Sequence, residues 1–417
     1  MIKVTSLSSL LLVLALPLWA APGDGSVSLQ VYLNEASGRN PGLEASRLRW
    51  EASREQSAIV GALPDPVIRF GIFASSVETR LGPQRQKLGL SQKIPGFGKR
   101  SLMREASEAL ALAMQEQYRS DLLDLQFRVR RHYLEQAFLA SATAIARDNL
   151  TLLKELHAVS ENRYRTGKLS RGDLLLLELD IARETTRVED LQDSRQAEVD
   201  HLYALLGDSD LLDRVPDTLI EDHPLPSYSE EIGNHNPRLR KLAMEARYAG
   251  VKSELAHRSG LPDFQLSLDY IRLDALEGSS DPENGRDPMA IGLAMNLPIA
   301  RGKIRAEKAA ARKQEASSEK RLRDEEARTL ALIEDTRAAW REANRSWKLH
   351  QESLVPVAEE VLQLEEQAFR TGSVSFRDYL QDRARLLNLR LELERSRKAR
   401  ALQGAILMKL YGMEKEG

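Results

Sequence analysis

The sequence predicts a mainly α protein with a small membrane β-barrel portion, built from one unit written twice. Three observations predict it. A set of sequence echoes recurs in constant order along the chain. Two pairs of strand candidates alternate with period two. Two helical stretches of about 65 residues carry at most one proline each.

Composition narrows the function classes. The chain has 417 residues, with Lys plus Arg at 60 and Asp plus Glu at 62, a formal net charge of -2. A nucleic-acid binder shows a basic excess, so none is expected as a partner. An acidic disordered tail is equally unsupported. Cysteine is absent, which removes disulfides, cysteine zinc sites and thiol nucleophiles, and with them an N-terminal lipid anchor.

The N-terminus comes first. Lys3 is the only charge before Asp24, Leu10 to Leu16 is apolar, and Trp19, Ala20 and Ala21 follow Pro17. This reads as a signal peptide over residues 1–21, cleaved after Ala20 or Ala21. The run is too short to span a bilayer as a mature helix, and no other stretch is long enough. The mature chain is therefore expected to be exported, and either soluble or embedded by other means.

The echoes define the body. YLNEASGRNPGL from Tyr32 returns as YSEEIGNHNPRL from Tyr228. LPDP at Leu63 returns as LPDF at Leu261, and LSQKIPGFGKR, ending at Arg100, as LAMNLPIARGKIR, ending at Arg305. RYRTGKLSRGDLL from Arg163 returns as AFRTGSVSFRDYL from Ala368, and LLG at Leu205 as LYG at Leu410. Order is kept throughout, so the expected halves are 22–215 and 228–417, joined by a proline-rich linker at 216–227.

Each half repeats one order of elements. Asn40 before Pro41, and Asn236 before Pro237, are N-cap and first-turn signals, each opening a helix of about twenty residues. Strands follow. Phe264, Leu266, Leu268 and Tyr270 alternate with Gln265, Ser267 and Asp269; Met289, Ile291, Leu293, Met295 and Leu297 form the apolar face of the return strand. In the first half the pattern is Ile68, Phe70 and Ile72, then Leu88 and Leu90. Such strands fit tilted membrane staves or a half-buried soluble hairpin, and the strands alone leave both open.

The helices favour the membrane reading. Lys99 to Arg163 contains no proline and would span about 97 Å; Gly302 to Phe369 is similar, with Pro356 as an expected kink. Asn40–Gly61 and Leu174–Leu206, laid end to end, nearly match one long helix. Leu122, Leu125 and Val129 follow coiled-coil spacing, and the thin apolar seam suits a single-layer wall rather than a thick core. Four strands cannot close a barrel, and an open sheet edge is forbidden in lipid. Strands must be pooled with other copies of the chain. Three copies give a 12-stranded barrel with an open lumen; two give eight strands filled by side chains.

These residues resemble the TolC-like outer-membrane efflux protein family over essentially the whole mature chain. The resembling pieces are the NP-initiated helices, the SQKIPGFGKR segment and the twin RTGxxSxxD turns. The absent cysteine and the IPGFGKR wording look most like the heavy-metal branch, of the CzcC and CusC type. The resemblance implies a homotrimer with a barrel in outer-membrane lipid and a coiled-coil tunnel through the periplasm. It also implies a periplasmic adaptor and an inner-membrane RND pump as partners.

By the same resemblance the turns form the periplasmic tip. Gly167, Gly372, Ser170 and Ser375 would receive the adaptor, and Asp173, Asp378 and Phe369 would form the gate. Phe264, Leu266, Leu268, Tyr270, Ile291 and Leu293 would face lipid. The alternative for Asp173 and Asp378 is a plain first-turn role at a helix N-terminus. Two departures stand out. Gln381, with Asp382 beside it, replaces a second family aspartate, and Phe369 replaces a tyrosine whose hydroxyl locks the closed tip. Asp180 and Arg377 are further gate candidates.

No catalytic site is expected. His132, His157, His201, His223, His235, His257 and His350 are scattered without zinc-ligand spacing and read as surface residues. GFGKRS lacks the first glycine of a phosphate loop. The expected function is an exit duct of a tripartite RND-type efflux system carrying heavy-metal cations, with no cofactor. The alternatives are a duct for drugs or for type I protein secretion and, from another class, a soluble periplasmic coiled-coil adaptor.

Overall fold

The computed structural model describes residues 26–207, 215–216, 235–371 and 373–413. The expected signal peptide and nearly all of the expected linker lie outside the described residues. A short strand β1 (Ser26–Val27) precedes α1 (Leu29–Arg39) and α2 (Pro41–Gly61). Then come β2 (Val67–Val77), β3 (Gln84–Ile94), α3 (Lys99–Arg165) and α4 (Arg171–Leu206). After β4 (Val215–Pro216) the order returns: α5 (Pro237–Arg258), β5 (Phe264–Leu273) and β6 (Met289–Met295). The second long helix is α6 (Arg301–Leu349), a π turn (His350–Leu354) and α7 (Val355–Thr371), followed by α8 (Phe376–Tyr411).

Helix α1 has no separate signal in the sequence. It buries Tyr32, Leu33 and Ala36 and stops at Asn40 because Pro41 pushes the preceding residue out of the helical region. Asn40 then caps α2, its side chain accepting from the Leu43 amide at 3.0 Å. The same asparagine donates Nδ2 to the Leu205 carbonyl at 3.0 Å. Asn236 does the same with the Leu410 carbonyl at 2.8 Å. Each half thus abuts its two shorter helices end to end, and both lie along the long helix of that half. Gly412 belongs to this joint. Its φ is +68°, and a Cβ there would meet the His235 carbonyl oxygen at 2.1 Å.

The long helix α3 runs for 67 residues, about 100 Å. It packs on α2 and α4 of its own half and on α5 and α8 of the other. Buried Ala106, Ala109, Ala113, Ala137, Ala142 and Ala146 let neighbouring helices approach closely. The interior is a string of separate clusters. One holds Tyr32, Leu125, Val129 and Leu206; another holds Leu239, Ile333, Leu407 and Tyr411. This is the thin seam expected from the sequence.

The expected irregularity near Pro356 is a π turn immediately before it. Proline lacks an amide donor and crowds the carbonyl four residues back, which a regular α-helix cannot accommodate. The turn also absorbs an extra residue. Buried Val129 and Ile333 occupy matching core positions 204 apart, whereas Thr166 and Thr371, at the ends of the two long helices, are 205 apart. The wider turn takes up the difference and keeps both flanks in phase.

Strands β2, β3, β5 and β6 form one antiparallel sheet in that order, with Leu88 opposite Tyr270 and Leu90 opposite Leu268. The halves therefore meet at β3 and β5, and β2 and β6 are left as edges. A two-residue parallel pair of β1 with β4 sets Ser26 opposite Val215; a bridge this short has no period to read in sequence. Among the described residues no helix is long and apolar enough to cross a membrane.

Candidate functional site

Two places gather the expected functional residues, the helical tips and the apolar face of the sheet, and a third, the elbow between sheet and helices, joins the two halves. At the first tip α3 ends as Lys168 N donates to the Arg163 carbonyl at 2.8 Å and Gly167 N to the Tyr164 carbonyl at 2.9 Å. Gly167 has φ +71°, the left-handed value that reverses a helix. Ser170 then caps α4. Its Oγ accepts from Asp173 N at 3.1 Å and donates to Asp173 Oδ2 at 2.6 Å.

The second tip repeats this. Ser375 Oγ accepts from Asp378 N at 3.2 Å and donates to Asp378 Oδ2 at 2.7 Å. Gly372 lies outside the described residues. Asp173 is half-buried and Asp378 exposed, so both expected gate aspartates complete a capping box in this chain. Asp180 approaches Arg183 at 3.9 Å, and Arg377 is exposed.

Phe369 faces inward. Leu153, Leu177, Phe376 and Leu380 are buried together between the two tips, with Phe369 and Leu169 packed against them. The Phe369 ring stacks on Tyr379 at 5.4 Å with planes 8° apart, and the Arg163 guanidinium lies 4.4 Å from its centroid. Phe369 has no hydroxyl to bond; ring stacking and a cation–π contact hold it in place. Sequence reasoning misses Tyr379, the stacking partner; an aromatic four residues after the Ser375 cap is its only signal.

The sheet exposes the expected apolar face. Ile68, Phe70 and Ile72 on β2 are 71%, 64% and 70% exposed, and Ile291 and Leu293 on β6 are 81% and 73%. Leu266, Leu268 and Tyr270 are also exposed. Phe264 is half-buried, held by Phe97 at 6.0 Å between ring centres. The other face is polar, with Lys87 Nζ 3.2 Å from Asp269 Oδ1. A large apolar surface on one face and charge on the other is the pattern of a stave between lipid and water.

The elbow locks the halves together. Lys99 opens α3 and is buried; its Nζ donates to the Leu261 carbonyl at 2.7 Å and to Asp263 Oδ1 at 2.9 Å. Gly96 N donates to the same carboxylate oxygen at 3.2 Å, and Arg258 Nη1 to the Phe97 carbonyl at 2.9 Å. Burial pushes the Asp263 carboxyl up, but Lys99 and the Gly96 amide outweigh it and hold it below the usual carboxylate range. A Cβ at Gly96 would lie 2.3 Å from the Pro262 carbonyl oxygen, so this approach requires glycine. The pair has a sequence signal, since a lysine and an aspartate recur at the corresponding places of both halves.

Among the described residues one histidine departs from expectation; His223 lies outside them. His132 is buried rather than on the surface, with Nδ1 2.6 Å from Glu198 Oε2 and its ring 5.0 Å from that of His201. The packing of α4 on α3 brings these residues together, which spacing along one chain segment cannot reveal. Among the described residues, no group of three or more His, Asp or Glu can hold a metal ion.

A family model described as Outer membrane efflux protein matches residues 32–208 and 229–413. The chain is similar to solved CusC at 19% identity, with a TM-score of 0.80 over 93% of this chain and 92% of that one. It is similar to the CmeC outer membrane channel of Campylobacter jejuni at 16% identity, TM-score 0.78, over 93% and 87%. It is similar to the outer membrane protein VceC of Vibrio cholerae at 20% identity, TM-score 0.75, over 93% and 97%. No curated protein matches significantly. These structures share the fold, and the family match removes the soluble-adaptor alternative. With both halves matched in order, this chain belongs to the outer membrane efflux protein family.

Proposed function

We propose that the chain is the outer-membrane exit duct of a tripartite RND-type efflux system, working as a homotrimer. The observation that carries this is the four-stranded sheet with two open edges and an apolar outer face. An open edge in lipid leaves backbone groups unsatisfied, so β6 of one copy must pair with β2 of the next. Three copies make twelve strands around an aqueous lumen, and their helices form the tunnel beneath. The duct is passive; a periplasmic adaptor links it to the inner-membrane pump that supplies the energy.

The tips are where the adaptor docks, around Gly167, Gly372, Ser170 and Ser375. Threefold copies of Asp173 and Asp378 make an acidic ring at the tunnel entrance that favours cations. Phe369 sets how the tips close, through its stack on Tyr379. Heavy-metal cations are the proposed cargo, supported by the wording of the Leu90–Arg100 segment. Drug efflux or one-step protein secretion would use the same duct with another pump.

Planar-bilayer recording of the purified protein tests this. The expected result is cation-selective single channels whose conductance rises when the adaptor is added. Asp173→Ala with Asp378→Ala should lower cation preference; an unchanged reversal potential removes the acidic ring. For cargo, the chain with its adaptor and pump should restore metal tolerance to a sensitive host. Restoration of drug tolerance alone would overturn the metal reading.

A further inference from the structure

The duplication makes each contact between the halves a template for a contact between copies. In one chain α3 packs on α5 and α8, and β3 pairs with β5. Among the described residues the second long helix packs chiefly on α5 and α8 of its own half, and no helix pair is packed on the seam that corresponds to α3's far side. What covers it in a ring is α2 and α4 of a second copy. Residue identities on the two seams say how they meet, and this rests on the trimeric reading above.

Of the several ion pairs that cross the internal seam, two have charged counterparts of opposite sign at both corresponding positions. Lys99 grips Asp263, and Glu116 Oε1 lies 2.8 Å from Arg240 Nη2. Core residues fix the helical correspondence: Leu125 with Thr329, Val129 with Ile333 and His132 with Thr336 are buried pairs at one constant spacing. Carried back along an unbroken helix, that spacing sets Lys303 where Lys99 stands and Lys320 where Glu116 stands. On the short helices and loops, Leu43 matches Leu239, so Glu44 matches Arg240; LPD at Leu63 matches LPD at Leu261, so Asp65 matches Asp263.

The first pair keeps its charges. The second reverses both of them: an acid on the long helix facing a base becomes a base facing an acid. Complementarity survives either way, although the residues do not. Lys303 is 74% exposed with Glu307 at 3.6 Å, and Asp65 and Lys320 are exposed and make no ion pair among the described residues. The elbows themselves differ. Pro298 to Gly302 is one residue longer than Pro95 to Gly98, and Ile299 carries a side chain where Gly96 has none. The charged clasp, not the glycine contact, is what both seams share.

We propose that Lys303 of one copy clasps Asp65 of the next, and that Lys320 pairs with Glu44 of that same neighbour. The pairs stand one at the foot of the barrel and one along the helical wall. Together they fix the height at which two copies meet. The Lys303 ammonium also finds the Leu63 carbonyl, as Lys99 finds that of Leu261. Along the sheet, the same correspondence sets Leu293 opposite Phe70 of the neighbour, which places the apolar faces of β6 and β2 on one side.

Charge reversal in the full-length, detergent-purified protein tests the clasp. Glu44→Lys and Lys320→Glu should each lower the temperature at which the oligomer dissociates in detergent gels, and the double variant should restore most of the loss. Asp65→Lys and Lys303→Asp should behave likewise. A double variant no better than its worse single overturns the clasp. A separate arm uses the cysteine-free background. Phe70→Cys with Leu293→Cys should give copies cross-linked under mild oxidation. Cross-linking without rescue leaves the ring standing and removes the clasp; no cross-linking removes both.

Discussion

The Asn40 side chain donates to the Leu205 carbonyl at 3.0 Å while accepting from the Leu43 amide at the same distance. One residue therefore ends α4 and begins α2. Asn236 repeats the joint between α8 and α5. Two shorter helices become one column nearly as long as α3, and the wall needs no second long helix per half.

Loss of that joint has a defined cost. Asn40→Ala should destabilise the chain by about 1 kcal/mol from the lost cap, with a further loss from the unpaired Leu205 carbonyl. Asn40→Asp keeps the cap acceptor but not the amide donor, so it should fall between the natural chain and the alanine variant. Thermal unfolding in detergent followed by circular dichroism reads the order. An aspartate variant as stable as the natural chain would refute the joint, and one no more stable than alanine would refute the cap.

The tip caps give a second expectation. Ser170→Ala and Ser375→Ala each remove one capping acceptor and free an aspartate, costing about 1 kcal/mol apiece. The effect should be local, with faster amide exchange in the first turns of α4 and α8 and unchanged protection in mid-α3. Beneath the caps, Leu177→Ala should cost about 2–5 kcal/mol, because Leu177 is fully buried between the tips.

The π turn predicts an asymmetric response to deletion. Removing Glu352 together with Pro356→Ala should yield a regular helix whose two flanks keep their phase, so assembly persists. Removing Ala338 should rotate everything below it by about 100° and abolish assembly. Gel mobility of the unheated oligomer distinguishes them. Equal loss in both would show that the turn absorbs no extra residue.

Two carboxyls give pH dependence of opposite sign. Asp263 lies below its ordinary value, so its contribution is present at neutral pH and is lost as pH falls below about 4. Asp263→Asn should flatten that acid limb. Burial raises Glu184 more than Arg187 and Asn149 lower it, so its charge opposes folding at neutral pH. Glu184→Gln should raise the melting temperature at pH 7 and change little at pH 4. A lower melting temperature at pH 7 would reverse the assignment.

Much of this was legible because repetition doubled every signal. The strand faces were readable from Phe264 to Tyr270 and from Met289 to Met295 by their period-two alternation, although alternation alone did not say whether the apolar face meets lipid or a soluble core. The long helices were readable from the scarcity of proline. Helix α1 was not, because Asn40 and Pro41 dominate the local pattern and a start upstream of them lacks a cap bond. The pairing of His132 with Glu198 and His201 depends on which faces of α3 and α4 meet, and thin seams specify this weakly. The Lys99–Asp263 pair was present in the echoes, but its two members belong to different halves. Only the pairing of β3 with β5 brings them together.

The central claim is that the open sheet is completed by sister chains. Native mass spectrometry of protein extracted from outer membranes in detergent measures this directly. The account predicts three copies per particle, separating only on heating. Monomers that stay soluble without detergent, with β2 and β6 folded against their own helices, would contradict it.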